Sequence, residues 1–362
     1  MTLKHKATPP VEAAPIPLEE TRVWRFYRGG SQIGRWHGRD EETDGDFPEE
    51  WVGSTTSASN PGRSEVDAGL SRLILPSGER PTLLSLIQQM PEFMLGEQAS
   101  ASDSAAAGAG VLVKLLDPCE RLPVHAHPTA EFAYQHLGSC FGKAEAWIVL
   151  GVRPPHVTGS VYVGLRELVS HAEYMHWIES QNRHRLLSSL REIEVGPGDA
   201  VFVPPGVPHA IGPGLMIAEV QEPTDFSIVC EYVGYSLAPE DCHLGLGWPV
   251  ALEALDLQPM TRAEQRTRCG PLRSGRVQLP PEADRFFQVA ELRGGDKIAG
   301  GGLHVVICTE GRLGLVGQWG RYSARRGDHF VIPAAAGESR LDGEGTLLSF
   351  RGPTSVPTYI AT

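Results

Sequence analysis

His125 and His127 stand two apart in the segment PVHAHP, an extended, Pro-flanked context. Side chains alternate faces along a strand, so a spacing of two points both imidazoles the same way and offers two nitrogen ligands on one face. Glu145 follows eighteen residues after His127, a distance that suits a strand, a turn and an antiparallel return. His209 comes after a short expected strand, Ala200 to Val203, and the stiff turn Pro204-Pro205-Gly206-Val207-Pro208. Three histidines and one carboxylate suit zinc or another divalent first-row ion, with coordination positions left for water or substrate.

A His-x-His pair alone is weak, since most such pairs are surface or hydrogen-bonded histidines. The second stretch strengthens it. Gly198, five residues, Pro204, one residue, Gly206, two residues and His209 resemble the second motif of the cupin superfamily. The shape of the first cupin motif, two histidines and a later glutamate, is present as well. The other histidines, including His37, His136, His156, His171, His176, His184, His243, His304 and His329, sit in no repeated ligand pattern and are expected to be solvated or packed.

The elements that must position these ligands are expected to be strands. With 362 residues the chain is long enough for two domains, and 41 Gly with 29 Pro favour short strands and tight turns. A net charge of -12 argues against a nucleic-acid or anionic-membrane surface. The six cysteines, Cys119, Cys140, Cys230, Cys242, Cys269 and Cys308, show no paired motif and read as free thiols. With no apolar leader at the N-terminus and no run long enough to span a membrane, a soluble cytoplasmic protein is expected.

Residues 1–20, rich in Pro and Ala, read as a flexible arm. VWRFYRGGSQIGRWHGR follows, with Gly29-Gly30 expected as a hairpin turn. DFPEEWVGSTTSASNPGR reads either as a loop leading to an edge strand or as a polar ligand wall built on Ser54, Thr55 and Thr56. A short helix is expected from Pro81 to Gln89, and a buried strand from Val111 to Asp117. Helical periodicity between residues 164 and 192 marks an insertion that separates the first ligands from His209. Beyond Pro259 a second set of strands echoes the first, GDHFVIP from Gly327 answering GDAVFVP from Gly198. There the place of His209 falls at Glu338. The fold class expected is mainly β, two cupin (jelly-roll) barrels with a helical insertion in the N-terminal one: a metal-binding unit over 21–258 and a metal-free one over 259–362.

Together these features resemble the type I mannose-6-phosphate isomerases, the short bacterial form in particular, from about Arg22 to the end. The matching segments are Glu49 or Glu50 with Trp51 and Ser54, PVHAHP, GKAEAW from Gly142, PGD through PHAI, and LMIAEVQ from Leu215. The resemblance implies one zinc ion held by His127, Glu145 and His209, with His125 where the family often has Gln. It implies Lys143 as an active-site lysine, Glu219 as a carboxylate near the reacting carbons, and Trp51 and Ser54 on the substrate side. One departure is plain: Val229 falls where the family carries an arginine. Either a nearby basic residue replaces that arginine, or the sugar differs, or catalysis is lost.

The activity implied is a zinc-dependent interconversion of mannose 6-phosphate and fructose 6-phosphate through a cis-enediol, with Glu219 as acid and base. The partner expected is a small sugar or sugar phosphate. The competing readings are the same chemistry on an unphosphorylated sugar, a non-catalytic sugar-binding bicupin, and another cupin activity such as an iron oxygenase.

Overall fold

The structure, a computed structural model, describes residues 11–39, 42–96, 108–268 and 276–353. It is mainly β, and all strand pairings in its three sheets are antiparallel. A six-stranded sheet runs in the order Arg22–Val23, Glu49–Val52, Leu112–Leu116, Leu215–Gln221, Glu145–Val152, Ala200–Val203. A five-stranded sheet runs Ile228–Val229, His125–Ala126, His209–Ile211, Gly159–Leu165, Leu190–Val195. Leu116, Trp147, Val201 and Ile217 of the first meet Val161, Val163, Ile193 and Ile211 of the second in one buried cluster, so the two sheets face each other.

The six-stranded sheet is buried on both sides. Its other face, with Val113, Ala146, Phe202 and Ala218, packs against Val305, Ile307, Leu348 and Phe350 of a seven-stranded C-terminal sheet. Double burial explains why the strands Leu112–Leu116 and Leu215–Gln221 are buried at every residue and lack an apolar-polar alternation. In the C-terminal sheet the two segments LHVVICTEG and GRLGLVGQWG form one continuous strand, His304–Gly317, pairing along its length with Ser339–Arg351.

Between the strands Gly159–Leu165 and Leu190–Val195 lie two helices, His171–Glu179 and Arg183–Ser188. The Ser170 hydroxyl accepts the Glu173 N–H and the Asn182 side chain accepts the Arg185 N–H, satisfying donors at both helix starts. Tyr174, Ile178 and Leu186 pack on Val124, Ala126, Ala210 and Ile228, the outer face of the five-stranded sheet. Alternation then turns His125 and His209 inward.

Two expectations need correction. The arm expected to be flexible to residue 20 is anchored from residue 11 onward. Val11, Ile16 and Leu18 are buried, and Ile16 and Pro17 pair with Val331 and Phe330 at the edge of the C-terminal sheet; residues 1–10 lie outside the described residues. Gly29-Gly30 is not a hairpin turn either. Gly30, at φ 104°, precedes the helix Ser31–Trp36, and the Asp117 carboxylate accepts the N–H groups of Gly30 at 3.0 Å and Gln32 at 2.6 Å. A remote carboxylate at the helix start outweighs the local turn signal. The expected helix near Pro81 is present as Leu83–Gln89, capped by Thr82, and Pro91 opens the next helix.

Candidate metal centre

His209 and His125 are register partners on adjacent strands, and both side chains enter the space between the two sheets. His127 lies just past the strand His125–Ala126. There the Gly206 N–H donates to its carbonyl, fastening the Pro-rich turn. Glu145 begins its strand on the opposite sheet. The ligand atoms of the four residues all lie within 4.8 Å of one another, and all four are buried.

The hydrogen bonds place a proton on the same nitrogen of each ring. The Nδ1 atoms of His125, His127 and His209 face the carbonyls of Pro123, Phe226 and Val207 at 2.8, 2.7 and 2.8 Å. A carbonyl can only accept, so each Nδ1 donates, and in a neutral ring the Nε2 is then left with its lone pair. Those lone pairs converge. The Nε2 atoms of His125 and His209 are 3.0 Å apart, and the Glu145 carboxylate lies 3.0 Å from His127 Nε2 and 3.2 Å from His209 Nε2.

Burial drives His125 and His127 toward neutrality, His125 well below the usual range and His127 down to about 3 with the Lys143 ammonium adding to the effect. Burial alone would raise the Glu145 carboxyl; Lys143 and the surrounding histidines instead hold it well below the usual carboxylate range. Its Oε2 is enclosed and makes no hydrogen bond, with the Lys143 ammonium 3.1 Å away as an ion pair. Acceptors facing acceptors in a closed space are stabilised by a cation, and three nitrogens with one carboxylate fit an ion of the zinc class.

Two of the four, His125 and Glu145, line a cleft holding about 840 Å³ of space, part of it open to solvent. Lys143 and Glu219 line it, as do His125, Glu145 and Val229. Lys143 Nζ lies 2.8 Å from His127 Nε2 and 3.1 Å from Glu145 Oε2. On the neighbouring strand Trp147 donates its indole N–H to Glu219 Oε2 at 3.1 Å, while Lys114 Nζ stands 3.2 Å from Glu219 Oε1. Burial raises the Glu219 carboxyl above its usual value despite Lys114, with the nearby Glu145 charge adding to the rise.

Trp51 and Ser54, expected on the substrate side, are fully buried and do not line this cleft. Trp51 lies beneath it. Its ring has the Arg25 guanidinium and the Lys114 ammonium each 5.1 Å from its centroid, and its N–H donates to Glu49 at 2.7 Å. The Ser54 hydroxyl is turned to the Thr56 backbone.

Sequence reasoning missed Arg25, Glu49, Lys114 and Asp225, which complete the cleft. Arg25 binds Asp225 at 2.8 Å and Glu49 at 3.0 Å. A legible signal existed in Lys114, the one charge inside the apolar run VLVKLL. Among the other histidines, His136, His156, His171, His176 and His184 are exposed, as expected. His304 is packed, bonded to Ser349 and Ala299 at 2.8 Å each. No disulfide joins the described cysteines, and no helix among the described residues is long and apolar enough to cross a membrane.

No family model matches the chain. A mannose-6-phosphate isomerase of Bacillus subtilis is 26% identical over 251 residues, 64% of this chain and 72% of that protein. One of Streptococcus mutans is 28% identical over 242 residues, 65% of this chain and 71% of that protein. The crystal structure of a mannose 6-phosphate isomerase from Bacillus subtilis superimposes with a TM-score of 0.70 at 21% identity, covering 93% of this chain and 99% of that one. At that identity the superposition speaks for the fold.

Proposed function

Because this chain belongs to the type I mannose-6-phosphate isomerase family, we propose that it is a metal-dependent aldose-ketose isomerase interconverting mannose 6-phosphate and fructose 6-phosphate, with one zinc ion in its cleft. What supports the reading is a single juxtaposition: four converging ligands, two of them lining a cleft whose wall also holds a buried, raised carboxyl, Glu219.

His125, His127, Glu145 and His209 would hold the ion, which when bound supplies Lewis-acid polarisation of the sugar's carbonyl oxygen. Glu219 takes the proton from C2 as a cis-enediol forms and returns it to C1. A carboxyl raised by burial moves protons closer to neutral pH than an exposed one. The Trp147 N–H fixes one of its oxygens, and Lys114 holds the other beside the substrate space. Lys143 steadies the developing oxygen charge. In this reading residues 21–258 bear the chemistry and residues 259–362 form a supporting cupin unit. The compartment we propose is the cytoplasm, where thiols such as Cys230, Cys242 and Cys308 stay reduced. Stripping the metal with a chelator should abolish turnover of mannose 6-phosphate and exchange of its C2 proton with solvent deuterium, and zinc should restore both; turnover that survives metal removal would refute the reading.

A specific observation favours a second reading, the same chemistry on an unphosphorylated sugar. Each cation lining the cleft is already committed: Arg25 to Asp225 and Glu49, Lys114 to Glu219, Lys143 to Glu145. Val229 on the wall offers no donor. A phosphate dianion normally needs a free cationic donor. Comparing kcat/KM for mannose and mannose 6-phosphate decides, since preference for the phosphate supports the first reading and indifference to it the second.

A further inference from the structure

On the strand Glu49–Val52, alternation sends Glu49 toward the cleft and Glu50 to the opposite face, against the C-terminal sheet. Glu50 is fully buried there, and two histidines from distant segments close on its carboxylate. His37, which ends the helix Ser31–Trp36, places Nε2 2.7 Å from Glu50 Oε2. His329, the first residue of the strand His329–Ile332, places Nε2 3.3 Å from Glu50 Oε1. The two rings are 5.4 Å apart at 72°, and one ligand atom from each of the three residues falls within 4.8 Å of the others.

The hydrogen-bond inventory here is incomplete. His329 Nδ1 makes no hydrogen bond, and His329 Nε2 and Glu50 Oε1, equally shut off from solvent, face each other at 3.3 Å without forming one. Leaving such groups bare in a closed interface costs free energy. His304 shows what a merely packed histidine looks like in the same sheet, with both nitrogens satisfied by Ser349 and Ala299. Arg22, whose guanidinium acts on Glu50, is engaged with Glu42 and with the carbonyls of Gly30 and Phe47. The His37 side chain keeps 12% of its surface exposed while Glu50 is fully buried.

We propose that His37, Glu50 and His329 form a second metal site, for a divalent cation of the zinc class, that ties the helix Ser31–Trp36 and the strand Glu49–Val52 to the C-terminal sheet. Two imidazole nitrogens and one carboxylate select zinc, cobalt or nickel over magnesium or calcium, and a water completes the set from the His37 side. The site lies on the face of its strand opposite the cleft. Its role is to hold the sheets together, and the sugar chemistry proceeds without it. It also amends the expectation that the C-terminal unit takes no metal, because His329 occupies the place in the echoed GD motif that Ala200 holds in the first copy.

The test is metal stoichiometry on the tag-free full chain, stripped with a chelator and titrated with zinc. The wild type should bind two equivalents, His329→Ala one, His209→Ala one, and the double variant none. His329→Ala should retain the wild-type turnover once its remaining site is loaded, and only the wild type should gain thermal stability from the second equivalent. If His329→Ala does not fold, Glu50→Gln, of the same shape, should lose the same equivalent. Cobalt replacing zinc should give two resolvable sets of visible bands in the wild type and one in either variant. A wild type that saturates at one equivalent, or a second equivalent that survives both Glu50→Gln and His329→Ala, overturns the proposal. That result leaves the isomerase reading intact, since turnover depends on the other site.

Discussion

His209 and His125 are direct cross-strand partners whose Nε2 atoms stand 3.0 Å apart with both lone pairs turned toward the same point. Two imidazoles that each donate through Nδ1 to a backbone carbonyl do not hold that geometry for their mutual attraction. Removing a ligand should therefore take the cation with it. His209→Ala and Glu145→Gln should each lose one equivalent of bound zinc by elemental analysis, and turnover should fall by about 1,000-fold or more. Either variant retaining both its metal and its rate would remove the cluster from the mechanism.

Glu219 is separable from metal binding. Glu219→Gln keeps the acceptor for the Trp147 N–H but cannot carry a proton, so kcat should drop about 100- to 10,000-fold while bound zinc and KM change little. Steady-state kinetics beside a metal assay reads this, and an unchanged kcat assigns the proton transfer elsewhere.

Much of the ligand set was legible from spacing because it depends on local regularities. The period of two explains His125 with His127, and the Pro-Gly turn fixes His209 one strand later. That Trp51 and Ser54 are buried away from the cleft lining is not legible, because burial on both faces of the six-stranded sheet leaves no sequence alternation to say which side meets solvent. Arg25 and Asp225 meet across 200 residues, a pairing that only the folded sheet creates. His37, Glu50 and His329 come from three separate elements, and no spacing rule joins them.

Glu222 should make stability fall as pH rises. It accepts the Ala144 N–H at 2.8 Å, yet burial pushes its carboxyl up to about 7 from an ordinary 4.5. Below about 4.5 both folded and unfolded chains are protonated and its contribution is fully present; it is lost as pH climbs through 7, where the buried group must ionise. Glu222→Gln, which stays neutral, should gain roughly 3 kcal/mol relative to wild type between pH 5 and pH 8 in denaturant unfolding. Parallel pH profiles for the two proteins would show that the group titrates normally.

Gly29 tests the helix start. A Cβ added there would lie 1.8 Å from the Asp117 carbonyl oxygen, a backbone atom that cannot swing aside. Gly29→Ala should destabilise by about 1 to 3 kcal/mol or more, read as a lowered Tm. A Tm equal to that of wild type would mean that Asp117 is not held as described.

Ile16 sits beside Val331, so the beginning of the chain is stitched to a strand made some three hundred residues later. During synthesis that opening segment has no edge to join until the last sheet has left the ribosome, which makes the N-terminal stitch a late event. Cutting the polypeptide near residue 258 would leave the second piece without its first strand and the first piece trailing an orphaned one. The two sets of sheets are sewn by their ends as well as by the core between them.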